Sequence, residues 1–141
     1  ILEFVPMDIE DSEDGMVSSD GIIQKVGKIG LSVDDGLRFC GGDEDFYVEM
    51  LKDYVGAYEG KAQELERFFE RKDWHEYQTM VHALKSTSKT IGATDIFERA
   101  KSLEEASGKV DVDFIENNHA KLLADYKVIT DKIAVIFIPE R

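Results

Sequence analysis

Apolar residues recur at helical spacing through most of this chain, and no stretch shows the strict alternation of a half-buried strand. Tyr47, Leu51, Tyr54 and Tyr58 step along one face and continue into Ala62, Leu65 and Phe69; near the C-terminus Ile115, Leu122, Tyr126, Ile129 and Ile133 form another such stripe. A helix with one apolar stripe gains its stability by burying that stripe against a neighbour. Several such helices joined by short connections therefore predict an antiparallel bundle.

The punctuation between the stripes sets the expected elements. Val33–Cys40 reads as a short helix stopped by Gly41-Gly42, residues suited to positive φ. Asp43 is placed to cap the next helix, with Glu44 and Asp45 favourable in its first turn. Asp73 starts a further helix that ends near Gly92, a residue suited to a C-cap or a close backbone contact. Thr94 opens the following one, which is expected to bury Phe97, Ala100 and Leu103 and to run until Gly108. Asp113 with Glu116 has capping-box spacing for the last helix. Residues 1–27 differ in character: Pro6, Gly15, the acidic cluster Asp8–Asp14 and Ser18-Ser19 carry no sustained period and read as a linker or N-terminal arm, with a short helical turn around Ile22–Val26. The globular part is then expected over residues 28–138.

At 141 residues the chain fits one domain with a real core. Its formal net charge of −13 would repel nucleic acid and anionic membrane surfaces, and so excludes both as natural partners. The longest apolar run, Ile133–Ile138, falls far short of the roughly 20 residues a membrane span needs. The single cysteine, Cys40, cannot form an intramolecular disulfide and fits a reducing compartment such as the cytoplasm. The chain begins with Ile and reads as a piece of something longer.

Chemistry concentrates on one helix. Placed at 100° per residue, Trp74–Ala93 puts Tyr77, Met80, Val81, Leu84, Thr87, Ser88 and Ile91 on one side, and His75, Gln78, Thr79, His82, Lys85, Ser86 and Lys89 on the other. His82 therefore faces water, with Lys85 at i+3, Ser86 at i+4 and Lys89 two turns along. An exposed imidazole beside an ammonium suits a nucleophile that takes up an anionic group. By spacing alone, though, the same stripe is what any solvated helix carries.

His75 and His82 lie about 10.5 Å apart along the helix, too far to share a zinc ion. His119 falls on the apolar stripe of the last helix and reads as a structural histidine at the core edge. There is no P-loop, nucleotide-binding glycine fingerprint or nucleophile elbow.

The run His82-Ala83-Leu84-Lys85-Ser86-Thr87-Ser88-Lys89-Thr90-Ile91-Gly92-Ala93 resembles the motif of the histidine-containing phosphotransfer (HPt) domain: His-x-x-Lys, small residues, then Gly. The likeness extends to Val33–Asp43, Phe46-Tyr47, Met50-Leu51, Asp73-Trp74 and Ala100-x-x-Leu103-Glu104, from about residue 30 to residue 130. Ser86 is a departure, since many members carry Gly there.

The resemblance implies an all-α fold, an antiparallel four-helix bundle with a short additional N-terminal helix. It implies a phosphorelay intermediate in two-component signal transduction. His82, neutral, would attack through Nε2 a phosphoryl group on a receiver-domain aspartate and pass it to the aspartate of another receiver. Lys85 would supply compensating charge from the exposed face, where its replacement should hardly disturb folding. Ser86 would offer a hydroxyl donor and Lys89 a weaker, longer-range field, with Gln78 and Gly92 in support. The divalent metal of the reaction belongs to the receiver, so the chain needs no cofactor of its own. Lacking an ATP site, it would be a phosphotransfer module and not an enzyme in itself, either a separate, monomeric cytoplasmic protein or part of a hybrid sensor histidine kinase. The competing reading is a degenerate helical docking module in which His82 is never phosphorylated.

Overall fold

The computed structural model describes residues 19–138. They form six helices and, among the described residues, no strand: α1 (Ser19–Lys28), α2 (Val33–Phe39), α3 (Glu44–Glu70), α4 (Trp74–Ile91), α5 (Thr94–Lys109) and α6 (Val112–Ile136). α3 packs against α4 and α6, and α5 closes the ring by packing against the same two. This is the expected four-helix bundle. The two short helices α1 and α2 lie over it, α1 against α3 and α6 and α2 against the end of α4.

Aspartates start three of the four long helices. Asp43 accepts from the N–H of Phe46 at 3.1 Å, Asp73 from Glu76 at 3.3 Å and Asp111 from Phe114 at 3.2 Å. Each satisfies an N–H that has no partner within its helix. The third cap is Asp111, where Asp113 was expected, because α6 begins two residues earlier than the capping-box spacing suggested. Nor does Gly108 end α5. The helix continues to Lys109, and Val110 takes the left-handed conformation at φ 53°.

The span read as a linker or arm holds a helix among the described residues. Ile22 and Val26, four residues apart, are both buried in the core. The helical body thus starts at Ser19, inside the span read as a linker; residues 1–18 lie outside the described ones. Two apolar residues one turn apart suffice to dock a ten-residue helix, which is too short to register as a sustained period. On α5 Ala100 and Leu103 are buried as expected, but Ile96 is buried in place of Phe97, which is only half-buried at the edge of α4.

Tyrosines fill much of the interior, and three of them spend their hydroxyls on internal partners. Tyr47 donates to the carbonyl of Ile91, Tyr54 bonds Ser88 Oγ and Tyr77 bonds His119 Nδ1, each at 2.8 Å. Large rings are buried this way without orphaned polar atoms. At the C-terminus of α4, Gly92 adopts φ 80° and its carbonyl accepts from Ser32 N–H at 2.8 Å. A Cβ on Gly92 would stand 2.0 Å from the Ser32 carbonyl oxygen. Only glycine allows both this φ and this approach.

Gly92→Ala should therefore cost about 2 kcal/mol or more, combining left-handed strain with a backbone clash. Gly56→Ala, inside α3 with nothing within 4 Å of the added Cβ, should gain about 0.5–1 kcal/mol. Urea denaturation of both variants checks this; a Gly92→Ala midpoint equal to that of the parent would contradict the seating of α2 on α4.

Candidate functional site

Burial of Tyr77, Val81, Leu84, Ser88 and Ile91 orients α4 and turns His82 outward, its side chain 58% exposed. The neighbouring helix completes the site. Glu104 of α5 reaches His82 Nδ1 with Oε2 at 2.6 Å and Lys85 Nζ with Oε1 at 2.7 Å. One carboxylate thus holds both residues of the His-x-x-Lys pair, an oxygen for each.

This arrangement settles the form of the neutral imidazole. An ionised carboxylate only accepts hydrogen bonds, so Nδ1 carries the proton and donates it to Glu104. Nε2 is left with its lone pair, on the solvent side of the ring. Burial alone would raise the Glu104 carboxyl. The hydrogen bonds from Lys85 and His82, with the Lys85 charge beside them, outweigh it and hold the group below the usual carboxylate range. Glu104 therefore stays ionised at neutral pH.

The six residues singled out on α4 and at its end fare differently. His82 and Lys85 are brought together through Glu104. Lys85 is not the projecting, freely solvated ammonium the stripe suggested: its side chain is 25% exposed and ion-paired across to α5. Ser86 is exposed one turn after His82, and among the described residues its Oγ has no hydrogen-bond partner. Gln78 lies in the α4–α5 seam, where a Cβ on Gly108 would stand 2.9 Å from its Nε2. Lys89 does not point at His82; its ammonium sits over the rings of Phe39, at 5.2 Å, and Phe97, at 5.5 Å. Gly92 acts on the backbone, as the left-handed cap of α4 and the seat of Ser32.

The other histidines are set apart. His75 is exposed on the first turn of α4. His119 is buried and stacked on Phe69 at 4.0 Å, with Nδ1 on Tyr77 Oη and Nε2 on Glu66, both at 2.8 Å. Sequence reasoning missed Glu104 as the partner of His82, and missed Phe39 and Phe97 as the partners of Lys89. α5 carries four carboxylates, and what distinguishes Glu104 is its place on the flank of the buried stripe, between Ala100 and Ser107.

The family model of the Hpt domain matches residues 49–132, more than half of the chain. The chain belongs to the Hpt domain family. Membership places this Hpt domain in histidine phosphotransfer within phosphorelays, alongside response-regulator receiver domains. No curated protein and no solved structure matches the chain. Among the described residues no helix is long and apolar enough to cross a membrane.

Glu104→Gln should release the tautomer. Long-range ¹H–¹⁵N spectra of neutral His82 should shift from Nδ1–H toward a mixture rich in Nε2–H; an unchanged pattern would mean that Glu104 does not set it. Because the Glu104 carboxyl is held low, its stabilisation is complete above the ordinary carboxylate pKa, about 4.3, and is lost as pH falls through the lower folded value. Parent and Glu104→Gln stabilities should thus differ at pH 7 and converge on acidification.

Proposed function

We propose that His82 is the phosphoryl-carrying residue of this Hpt domain, accepting the group from one receiver aspartate and passing it to another. One observation carries the reading: Glu104 engages Nδ1 of a histidine whose side chain is 58% exposed, which leaves the Nε2 lone pair without a partner among the described residues. As Nε2 attacks phosphorus, the N–P bond forms, the bond to the aspartyl oxygen breaks, and its electron pair returns to the carboxylate. The imidazole gains positive charge in the process. Glu104, already bonded to Nδ1–H, stabilises that charge without reorganising. On the way out the electrons of the N–P bond return to the ring and Glu104 releases nothing. The same geometry therefore serves transfer in both directions.

Lys85 supplies charge to the equatorial oxygens by exchanging Glu104 Oε1 for the phosphoryl group, which stands one helical turn away. Ser86, exposed beside it, offers a hydroxyl to the same oxygens. The divalent cation stays with the receiver. Both a separate phosphotransfer protein and a module of a hybrid sensor kinase use such a domain in this way.

Incubation with a receiver phosphorylated with radiolabelled phosphate tests the assignment. His82→Gln should accept no acid-labile label, whereas His75→Gln should accept it as the parent does. Label retained on His82→Gln would move the phosphoryl group to another residue, and a parent that never accepts it would favour a docking module that is not phosphorylated.

Lys85→Ala should slow transfer in rapid-quench kinetics. It should also cost about 1 kcal/mol of stability, between the exposed and buried limits for an ion pair. A variant that transfers at the parental rate would remove Lys85 from the mechanism.

A further inference from the structure

The charge on the His82 face does not sit where the His-x-x-Lys motif puts it. The Lys85 ammonium is matched by Glu104 at 2.7 Å. Lys89 has no carboxylate within ion-pairing distance among the described residues; its partners are the faces of Phe39 and Phe97. An aromatic face attracts an ammonium but, unlike a carboxylate, leaves its charge uncancelled. In a chain of net charge −13, Lys89 is thus a held and uncompensated positive point on the helix that carries His82.

The clamp is built by the fold. Phe39 ends α2, which is fastened to the end of α4 by the Ser32–Gly92 hydrogen bond at 2.8 Å, while Tyr47 of α3 donates to the neighbouring Ile91 carbonyl. Gly36 of α2 permits the close contact, since a Cβ there would meet Tyr47 Cε1 at 2.3 Å and the Ile91 backbone at 3.1 Å. Together α2, α4 and α5 line an open cleft of about 260 Å³ around Lys89. Of its acidic residues, Asp35 is held by Arg38 and Ser32, and Glu98 is exposed on the α5 side. Phe39 stays 51% exposed despite its size. It also lies outside residues 49–132, the part shared with the family model.

We propose that Lys89, clamped between Phe39 and Phe97, is a docking and specificity determinant for the receiver domain, with no part in the phosphoryl chemistry. The proposal rests on the phosphotransfer reading of His82. Lys89 lies two turns beyond His82, about 10.5 Å along α4, so a protein that presents an aspartyl phosphate in line with Nε2 must cover it. That partner holds a divalent cation and therefore carries oxygen ligands, chiefly carboxylates, around its aspartate. Its acidic rim is repelled by this chain as a whole. Lys89 gives that rim one fixed complementary charge, and the exposed Phe39 gives it an apolar contact beside the charge. A charge at the rim of an interface acts on encounter and on salt dependence.

The experiment uses the full chain and two phosphoryl donors. One is the receiver domain that transfers fastest to the parent, phosphorylated beforehand with acetyl phosphate. The other is phosphoramidate, which has no protein surface: its P–N bond breaks, ammonia leaves, and the phosphoryl group forms its new bond to Nε2. With the receiver, Lys89→Met should raise the half-saturating concentration about five- to tenfold, leave the saturating rate within about twofold, and flatten the salt dependence. Lys89→Glu should weaken it further. Phe39→Leu, at an exposed position that spares the fold, should give a smaller shift of the same kind. Labelling by phosphoramidate should match the parent in all three. Parental half-saturation in Lys89→Met, or a loss confined to the saturating rate or shared with phosphoramidate, overturns the docking role while His82 chemistry stands. A parent chain labelled by neither donor overturns the phosphotransfer reading and the docking role together.

Discussion

Three of the contacts across the seam between α4 and α5 share one centre: the Gln78 side chain against Gly108, His82 with Glu104 and Lys89 with Phe97. All three are centred on residue 93. In a hairpin of two helices that rise equally per residue, positions equidistant from the turn lie side by side. The connection here is only two residues long, Gly92 and Ala93, and Gly92 is pinned at φ 80° against the Ser32 backbone. The turn leaves no slack, so it fixes the register of the whole seam. A one-residue change in the connection would bring a different α5 side chain opposite His82. The chemistry of the site thus depends on a backbone contact ten residues from the histidine.

On the proposed reading of His82, that register gives an acidic protein a workable phosphoryl site. A carboxylate beside a phosphoryl acceptor is unfavourable by simple repulsion. Glu104 escapes this because the imidazole N–H lies between it and Nε2, and because Lys85 shares its charge. The three groups carry little net charge before transfer. In the proposed transfer the imidazole turns cationic toward Glu104 and Lys85 is available to the phosphoryl oxygens. Separation of charge along one line, carboxylate to ring to phosphorus, replaces the single ammonium that the motif by itself suggests.

How much of this was legible in the sequence depends on the reach of each interaction. The exposure of His82 followed from a stripe within one helix, and the Asp43 and Asp73 caps from contacts three residues long. Such features need no knowledge of neighbours. Glu104 needed the register across a turn, and four carboxylates on α5 competed for the role. Phe97 shows the same limit. Its place one residue from Ile96 on the boundary of the apolar stripe left open which of the two enters the core, and the position of α4 decided it. α1 was legible only as a short helical turn because its ten residues hold two buried side chains, too few for a sustained period. Asp111 lost to Asp113 in the sequence because the Glu three residues after Asp113 imitates a capping box, whereas α6 had already begun.

His119 shows by contrast why the proposed role falls to His82. Both residues bond a carboxylate through one ring nitrogen, so a carboxylate partner by itself does not identify a nucleophile. At His119 the Glu66 carboxylate must receive Nε2–H, and Nδ1 then accepts from the Tyr77 hydroxyl, whose burial drives its pKa far up and keeps it a neutral donor. Both nitrogens are spent, and the ring is sealed against Phe69 with 4% of its side chain exposed. At His82 the carboxylate takes Nδ1 instead, and at 58% exposure the lone pair of Nε2 faces outward. The difference lies in which nitrogen the carboxylate claims and in whether a second partner claims the other. Neither property is visible in the residue itself. Both follow from the helix face on which the bundle places it.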